Sequence, residues 1–279
     1  MNALELKNVS KAYRDFQLGD ISFVLPSGCI MGLIGENGAG KSTTIKLILD
    51  MVRRDSGEIS ILGKDNQNDF CRVKEEIGVV LDEAYFPESI TAREVNAIMK
   101  HTYHHWDESQ YFDYLRRFSL PDKKSFKEFS RGMKMKLAIA VALSHHARLL
   151  ILDEPTSGLD PIVRDEIVDL FYEFTREESH SILISSHIVS DLEKLCDYIA
   201  FLHRGKLLFC EEKDRLLEQY GILRCSKSEF QSIPSGAVRG FRDSGYGIEA
   251  LVERQKIPFG LAVDTPGIED IIVFMAKQF

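Results

Sequence analysis

A glycine-rich octapeptide at residues 35–42 limits the folds open to this chain more than any other feature. It lies between a short apolar run, residues 29–34, and residues 43–49, which have helical apolar spacing. Glycines adopt backbone angles that other residues avoid, and they let amide N–H groups face an anion. A buried strand, this turn and a helix would place phosphate groups at a helix N-terminus. The predicted phosphate-binding residues are Gly35, Asn37, Gly38, Ala39, Gly40, Lys41, Ser42 and Thr43.

Two side chains of the octapeptide have distinct predicted roles. Lys41 would reach the β- and γ-phosphates of a nucleotide, and the Ser42 hydroxyl would coordinate Mg²⁺. A purely structural glycine turn is the alternative, but the apolar run before it and the helical pattern after it favour nucleotide binding. We therefore expect ATP and Mg²⁺ as ligands.

A second apolar run, residues 149–152, ends in two carboxylates, Asp153 and Glu154. A strand of this kind beside a phosphate-binding loop delivers an acid to the magnesium ion, and Asp153 has that position. Glu154, one residue further, would face the γ-phosphate and polarise an attacking water. A buried strand with a polar end is the alternative when this segment is considered alone.

Composition excludes several classes of protein. The formal net charge is −8, so we expect no nucleic-acid partner, and no apolar run approaches the length of a membrane span. The start of the chain lacks the pattern of a secretory signal. Five scattered cysteines predict reduced cytosolic thiols. We expect the histidines to lie in polar, solvated segments rather than a metal site: His101, His104, His105, His145 and His146.

Four further segments occur in a fixed order around these motifs. Residues 129–133, FSRGM, precede the acidic strand, and residues 157–160, SGLD, follow it. Residues 182–187 form an apolar run that ends in His187, and Tyr13 lies near the start of the chain. Together with the octapeptide, this set resembles the ABC-type ATPases over about residues 1–215. The chain is similar to the nucleotide-binding subunit of a bacterial ABC exporter.

The resemblance implies a role for each segment. Ser130 and Gly132 belong to the signature segment, which in this family meets the γ-phosphate held by the opposite subunit. His187 would be the switch histidine and Glu154 the catalytic carboxylate, while Tyr13 would stack on adenine. Two subunits, as a homodimer or a heterodimer with a related chain, would clamp ATP between them. A separate transmembrane permease would hold the dimer at the cytoplasmic face of the membrane.

The chain departs from the family pattern at two places. Arg131 replaces the first glycine of the signature pair, and Met133 replaces its final glutamine. After residues 77–81, Asp82 stands where the family has a glutamine that touches Mg²⁺ and the attacking water. An aspartate still offers oxygen ligands, so Asp82 stays a candidate metal ligand. Arg131 would point away from ATP or add a positive charge near it.

The expected fold is α/β: a P-loop NTPase core with an antiparallel β-layer and a helical subdomain, plus a small C-terminal α+β appendage. Residues 4–9, 21–25 and 58–62 alternate as half-buried strands, and helical spacing runs from about residue 88 to 145. Tyr85 and Phe86 are candidates either for the family's permease groove or for the core. We expect an ATPase domain over residues 1–215 and an accessory domain over 216–279.

The accessory region also carries local predictions. Residues 211–220 read as a helix, and residues 249–253 and 260–263 as strands. A last helix would be capped by Thr265, with Pro266 in its first turn. The favoured function of the whole chain is ATP hydrolysis coupled to export through a separate permease. The alternatives are a non-transport or regulatory ABC-type ATPase and, less well matched, a P-loop kinase of a small metabolite.

Overall fold

A mixed β-sheet with helices on both faces makes up most of the chain. The computed structural model describes residues 2–68, 73–82, 86–243, 245, 247–258 and 260–277. The strands, in chain order, are β1 (Asn2–Ala12), β2 (Gln17–Pro26), β3 (Ile30–Ile34), β4 (Ser56–Ile61), β5 (Lys64–Asp65), β6 (Ile77–Val80), β7 (Leu149–Asp153), β8 (Ser181–Ser186), β9 (Tyr198–His203), β10 (Lys206–Glu212), β11 (Tyr220–Cys225), β12 (Val238–Asp243), β13 (Ile248–Glu253) and β14 (Val263–Asp264).

The helices alternate with these strands. They are α1 (Lys41–Ile48), α2 (Ala92–Thr102), α3 (Glu108–Arg117), α4 (Arg131–Leu143), α5 (Pro161–Phe174), α6 (Val189–Leu195), α7 (Lys213–Gln219), α8 (Lys227–Phe230) and α9 (Ile268–Ala276). Short 3-10 turns occupy Lys74–Glu76, Phe126–Glu128, Ser235–Ala237 and Arg254–Lys256.

Five neighbouring strands form a parallel sheet that positions the predicted site. Within the described residues the large sheet has the order β5-β4-β1-β2-β10-β9-β3-β8-β7-β6, and β9, β3, β8, β7 and β6 pair in parallel. Parallel strands end at the same edge of a sheet, where ligands of such folds bind. The segments that follow β3, β7 and β8 are therefore neighbours, which confirms the predicted α/β core.

The predicted antiparallel layer is present. Strand β1 pairs antiparallel with both β2 and β4, so that Glu5 lies opposite Val24 on one side and Ser60 on the other. The layer joins the parallel strands through β2 and β10, where Lys206 lies opposite Gly19. At this junction the Gly19 N–H donates to the Gly205 carbonyl at 2.9 Å.

Hydrophobic side chains pack on both faces of the parallel strands. Because side chains alternate along a strand, Leu149 and Ile151 of β7 face one core with Ile45 of α1. Leu150 and Leu152 face the other core, which contains the buried side chains of α4. Residues buried on both faces explain why β7 reads as a continuous apolar run.

The helical segment between β6 and β7 corrects the expectation for His145 and bears on the two alternatives for Phe86. The His145 side chain is 1% exposed, so the prediction of a solvated segment is wrong there, whereas His101, His104 and His105 are exposed as expected. Phe86 packs edge-to-face on Phe126, with ring centroids 5.5 Å apart, and contacts the main core. Glu83, Ala84 and Tyr85 lie outside the described residues.

The C-terminal residues form a second sheet, with the order β12-β13-β11-β14 in the described residues. The helix predicted over residues 211–220 is shorter, because its first two residues belong to β10 and its last to β11. The strand predicted over 260–263 is also wrong, since β14 begins only at Val263.

The last helix begins later than predicted. Its N-cap is Gly267 rather than Thr265, and the Gly267 N–H donates to the Asp270 carboxylate at 3.0 Å. Glu193 of α6, a residue far away in sequence, accepts the Ile268 N–H at 3.2 Å. Glu193 and Asp270 thus satisfy first-turn amides that Thr265 was expected to serve. The predicted division at 215/216 falls inside α7, so the two-domain description stays a prediction.

Candidate active site

The backbone of the glycine-rich loop has the conformation that its sequence predicts. Gly38 and Gly40 have φ angles of +81° and +112°, in the region that only glycine adopts readily. A Cβ atom on Gly35 would lie 2.5 Å from the Leu202 carbonyl oxygen, so this position also excludes larger residues. The loop leads directly into α1, whose first amides are unpaired within the helix and form an anion-binding end.

Lys41 connects the loop to the acidic end of β7. Its side chain is 6% exposed, and its ammonium donates to the Gly35 carbonyl at 2.7 Å. The same Nζ lies 3.3 Å from Oε1 of Glu154. A buried ammonium with a carbonyl and a carboxylate on one side is oriented to receive a further anion.

Glu154 and His187 contact each other at the ends of two adjacent strands. Oε2 of Glu154 lies 2.7 Å from Nδ1 of His187, directly after β7 and β8. Glu154 has a φ of +51°, unusual for a residue with a side chain. Its N–H donates to the Ser185 hydroxyl at 3.1 Å, and that hydroxyl donates to Asp153 at 2.5 Å. Sequence reasoning missed Ser185, although it lies two residues before His187.

One cleft of about 550 Å³ brings most of the predicted residues together. Three of the predicted residues, Gly35, Ala39 and Asp153, do not line this cleft, and Ala39 and Asp153 are buried. The cleft is lined by Phe16, Glu36, Asn37, Gly38, Gly40, Lys41, Ser42, Thr43, Asp82, Glu154, Ser157 and His187.

An adjoining cleft of about 780 Å³ lies between the loop, the start of β2 and the β9–β10 turn. Phe16 lines both clefts. Tyr13 is 46% exposed and lines neither, with the Lys11 ammonium 5.8 Å from its ring centre. Phe16, an aromatic residue in the same turn as Tyr13, was not predicted from the sequence, yet its ring lies beside Gly40 of the phosphate loop.

The signature segment forms a separate cleft. Ser130 is the N-cap of α4, and its hydroxyl accepts the Met133 N–H at 3.2 Å. Ser130 and Gly132 line a cleft of about 370 Å³ together with Gly158 and Leu159, whereas Lys41 and Glu154 line the first cleft. One chain thus has two separate clefts, one at the phosphate loop and one at the signature segment.

Two of the three residues that depart from the family pattern, Asp82 and Arg131, contact each other. Nη2 of Arg131 lies 3.1 Å from Oδ1 of Asp82. Asp82 lines the phosphate-loop cleft and Arg131 lines the signature cleft, so this ion pair connects the two clefts. The Arg131 side chain therefore lies toward the phosphate-loop cleft of its own chain.

In the part of the chain that the structure describes, no helix has the length and apolarity needed to cross a membrane. Over the same residues, no cluster of three or more histidine, cysteine, aspartate or glutamate side chains has the arrangement of a metal site. A magnesium ion held by one or two side chains together with nucleotide phosphates does not require such a cluster.

Comparison with known proteins gives matches to one family. A family model described as "ABC transporter" matches residues 18–157. The ABC transporter ATP-binding protein YtrB of Bacillus subtilis is 32% identical over 218 residues, which are 78% of this chain and 74% of that protein. The lantibiotic transport ATP-binding protein SrtF of Streptococcus pyogenes is 36% identical over 214 residues, 76% of this chain and 91% of that protein.

A solved structure supports the same assignment. The ATP-binding subunit of an ABC transporter superposes with a TM-score of 0.71 at 30% identity, over 78% of this chain and 92% of that one. The matched family model includes both the phosphate loop and the end of β7. This chain therefore belongs to the ABC transporter family, as an ATP-binding subunit with ATPase activity.

Proposed function

We propose that this chain binds Mg·ATP in the phosphate-loop cleft and that Glu154 activates the water that attacks the γ-phosphate. The observation that carries the proposal is the position of the Glu154 carboxylate, which contacts both Lys41 and His187. An incoming phosphate would exchange with Glu154 as the partner of Lys41. Glu154 would keep its hydrogen bond to His187, with one oxygen free to accept a proton from water.

The residues present fit a magnesium ion. Ser42 and Asp82 offer oxygen atoms inside the cleft, and Asp153 lies beneath it, oriented by Ser185. Hydroxyl and carboxylate oxygens are the ligands that Mg²⁺ prefers. When bound, the ion would neutralise charge on the transferring phosphate. The chain's own contribution is to hold the phosphates through Lys41 and the loop amides.

The separate signature cleft supports an assembly of two subunits. Ser130 and Gly132 lie at the N-terminus of a 13-residue helix, where amides favour an anion, but they do not line the cleft that contains Lys41. We propose that they complete the ATP site of a second subunit. That subunit is either an identical copy or a related chain, and ATP binding would close the pair.

We propose that the closed pair of subunits drives transport. The relative SrtF is named for lantibiotic transport. We propose that a separate permease binds this chain at the cytoplasmic face of the membrane and that hydrolysis drives outward movement of a substrate through it. Co-purification of a multi-span membrane protein from mild detergent would test this part directly.

The catalytic assignment is tested by Glu154→Gln. The amide keeps the size of the side chain but accepts no proton from water, so ATPase turnover should fall at least about a hundredfold. ATP binding should persist, and light scattering after size exclusion should show an ATP-dependent dimer. Turnover at the wild-type rate would remove Glu154 from the catalytic role.

Two further variants are the controls for that experiment. Glu218→Gln changes an exposed glutamate of α7 in the same way and should leave turnover unchanged. Lys41→Ala should abolish nucleotide binding, because it removes the cation of the loop. Normal binding by Lys41→Ala would contradict the assignment of the phosphate-loop cleft.

A further inference from the structure

An ion pair connects the phosphate-loop cleft and the signature cleft of this chain. Asp82 replaces a neutral glutamine of the family pattern and Arg131 replaces a glycine, 49 residues apart in sequence. The two side chains meet at 3.1 Å between Oδ1 and Nη2. The two departures from the family pattern carry opposite charges and are hydrogen-bonded to each other, which indicates that the charge of Arg131 compensates the charge of Asp82.

The Arg131 guanidinium lies beside the turn that contains Gly158. Arg131 is the first residue of α4, and its Nη1 would lie 2.8 Å from a Cβ atom on Gly158. Gly158, with a φ of +69°, leaves room for the guanidinium in the turn that follows Glu154. Arg131 therefore spans the distance from that turn to the segment after β6.

The charges of the phosphate-loop cleft show what the pair does. Glu154 is balanced by Lys41 and contacts His187, but Asp82 lines the same cleft and has Arg131 as its cation. Glu36 is the third carboxylate that lines this cleft, and its Oε1 lies 3.3 Å from Nδ1 of His203. An uncompensated charge on Asp82 would add to the repulsion of the phosphates of a nucleotide. Both side chains of the pair are about half exposed, 52% for Asp82 and 55% for Arg131, so the pair contributes little to folding.

We propose that Arg131 is a positioning residue whose charge neutralises Asp82, so that the affinity of the phosphate-loop cleft for nucleotide depends on the signature segment of the same chain. The proposal rests on the assignment of that cleft as the ATP site. The signature segment, which is proposed above to complete the ATP site of a second subunit, would thus also affect nucleotide binding by its own chain.

The test is a double-mutant cycle on nucleotide affinity. The dissociation constants of the fluorescent probes mant-ATP and mant-ADP are measured with EDTA, at protein concentrations below those that form dimers. At low salt, Arg131→Gln should weaken mant-ATP binding roughly threefold to tenfold. The effect should be smaller for mant-ADP, which carries less negative charge. It should shrink at about 1 M salt, where the screening length is about 3 Å.

Removing the carboxylate should cancel the effect. In an Asp82→Asn background, Arg131→Gln should change the affinity less than about twofold, because the carboxylate that Arg131 holds and neutralises is already absent. Arg131→Lys, which keeps the charge, should retain most of the wild-type affinity. Arg117→Gln is the matched control, since Arg117 pairs with Glu173 and lines neither of the clefts beside the loop.

Two results would overturn the proposal. One is an equal loss of affinity from Arg131→Gln with and without Asp82. The other is an unchanged affinity in the single variant at low salt. Lys41→Ala tests the cleft assignment itself, because normal nucleotide binding by that variant would show that this cleft is not the ATP site. Additive effects of the Asp82 and Arg131 substitutions would contradict only the proposed pairing of these two residues. Matching circular dichroism spectra establish that each variant is folded.

Discussion

Glu154 is held in a strained backbone conformation by its neighbours. Its φ of +51° is left-handed, which costs about 1–2 kcal/mol for a residue with a Cβ atom. Its N–H has both the hydroxyl and the carbonyl of Ser185 within 3.1 Å. Strain of this kind persists where surrounding bonds determine the conformation, and here it directs a carboxylate toward Lys41.

A pair of substitutions should reveal that strain. Glu154→Ala and Glu154→Gly both remove the carboxylate, but only glycine relieves the left-handed angle. We expect the glycine variant to be more stable than the alanine variant by about 0.5–1 kcal/mol, after allowing for the greater freedom of unfolded glycine. Urea unfolding of the two variants measures the difference, and greater stability of the alanine variant would contradict the inference.

His145 is a second residue whose surroundings determine its behaviour. Its ring stacks on Tyr103 at 4.1 Å between centroids and reaches the Ile77 and Val141 carbonyls at 3.0 and 3.1 Å. Burial is the main cause that lowers its pKa below the usual 6.5, although the two carbonyls oppose it. The folded protein therefore favours the neutral ring.

This direction predicts a pH dependence. Below pH 6.5 the unfolded state binds the His145 proton more readily than the folded state, so stability should fall as the pH is lowered from 7.5 to 5.5. In His145→Gln this part of the slope should disappear. His146→Gln, an exposed neighbour, should keep the wild-type slope. Melting temperatures across the range decide the matter, and parallel curves for all three proteins would show that His145 does not contribute.

The positions of the motif residues were predictable because the local backbone conformation and the requirements of phosphate binding determine which residue types occur there. The loop glycines, Lys41 and the carboxylates after β7 follow from backbone geometry and phosphate binding, whatever the rest of the chain does. Ser185 and the pairing of Arg131 with Asp82 were not predictable. A serine in an apolar run carries no distinctive signal, and a contact across 49 residues depends on how α4 lies beside β6.

At the scale of elements, α4 runs antiparallel along β6. His145, just beyond the helix, contacts Ile77 at the start of the strand, and Arg131 contacts Asp82 just beyond its end. Between these points Gly78 permits a close approach, because a Cβ atom there would lie 2.5 Å from the Ala142 carbonyl oxygen. The position of the signature segment relative to the phosphate-loop cleft therefore depends on this packing.

Gly78→Ala should separate the helix from the strand. The added methyl group meets backbone and the Leu150 side chain, so we expect a loss of about 1–3 kcal/mol in the free energy of unfolding. Gly19→Ala is the control, because no described atom lies within 4 Å of its added Cβ. Chemical denaturation compares the two, and equal stabilities would show that the approach is not tight.

Helices and strands were predictable where a local apolar pattern defines them. They were predicted with wrong ends where contacts with residues distant in sequence determine the end of the element. Strands β3, β7 and β8 were found because burial on both faces leaves continuous apolar runs. The start of α9 was misplaced because Glu193, on another helix, satisfies its first amide. The ends of α7 were misplaced because both flanks pair in sheets. Neither Glu193 nor the pairing of the strands that flank α7 can be inferred from the local sequence.

At the scale of the whole molecule, the C-terminal segment shares a hydrophobic core with the ATPase fold. Ile268, Ile271 and Phe274 of α9 belong to the same buried cluster as Leu192 and Leu195 of α6. A shared core couples the stabilities of the parts that build it. We therefore expect one unfolding transition rather than two.

Phe274→Ala tests this coupling through a distant reporter. The sole tryptophan, Trp106, lies between α2 and α3, and Phe274 is 1% exposed in α9. Truncation should cost about 3–5 kcal/mol and shift the Trp106 fluorescence transition together with the circular dichroism transition. Val273→Ala, at a neighbouring exposed site, should shift both only slightly. A tryptophan midpoint that stays in place would show that the C-terminal segment unfolds alone.

The junction between β2 and β10 affects how variants of this protein are interpreted. A Cβ atom on Gly205 would lie 1.9 Å from the Gln17 carbonyl oxygen, and both residues line the larger cleft beside the phosphate loop. A side chain there would force the strands apart and distort that cleft. A random-mutagenesis screen for impaired nucleotide capture would thus recover Gly205 alongside genuine contact residues. Variants found at the β2–β10 junction in such a screen therefore need a folding assay before their residues are assigned to a nucleotide-binding site.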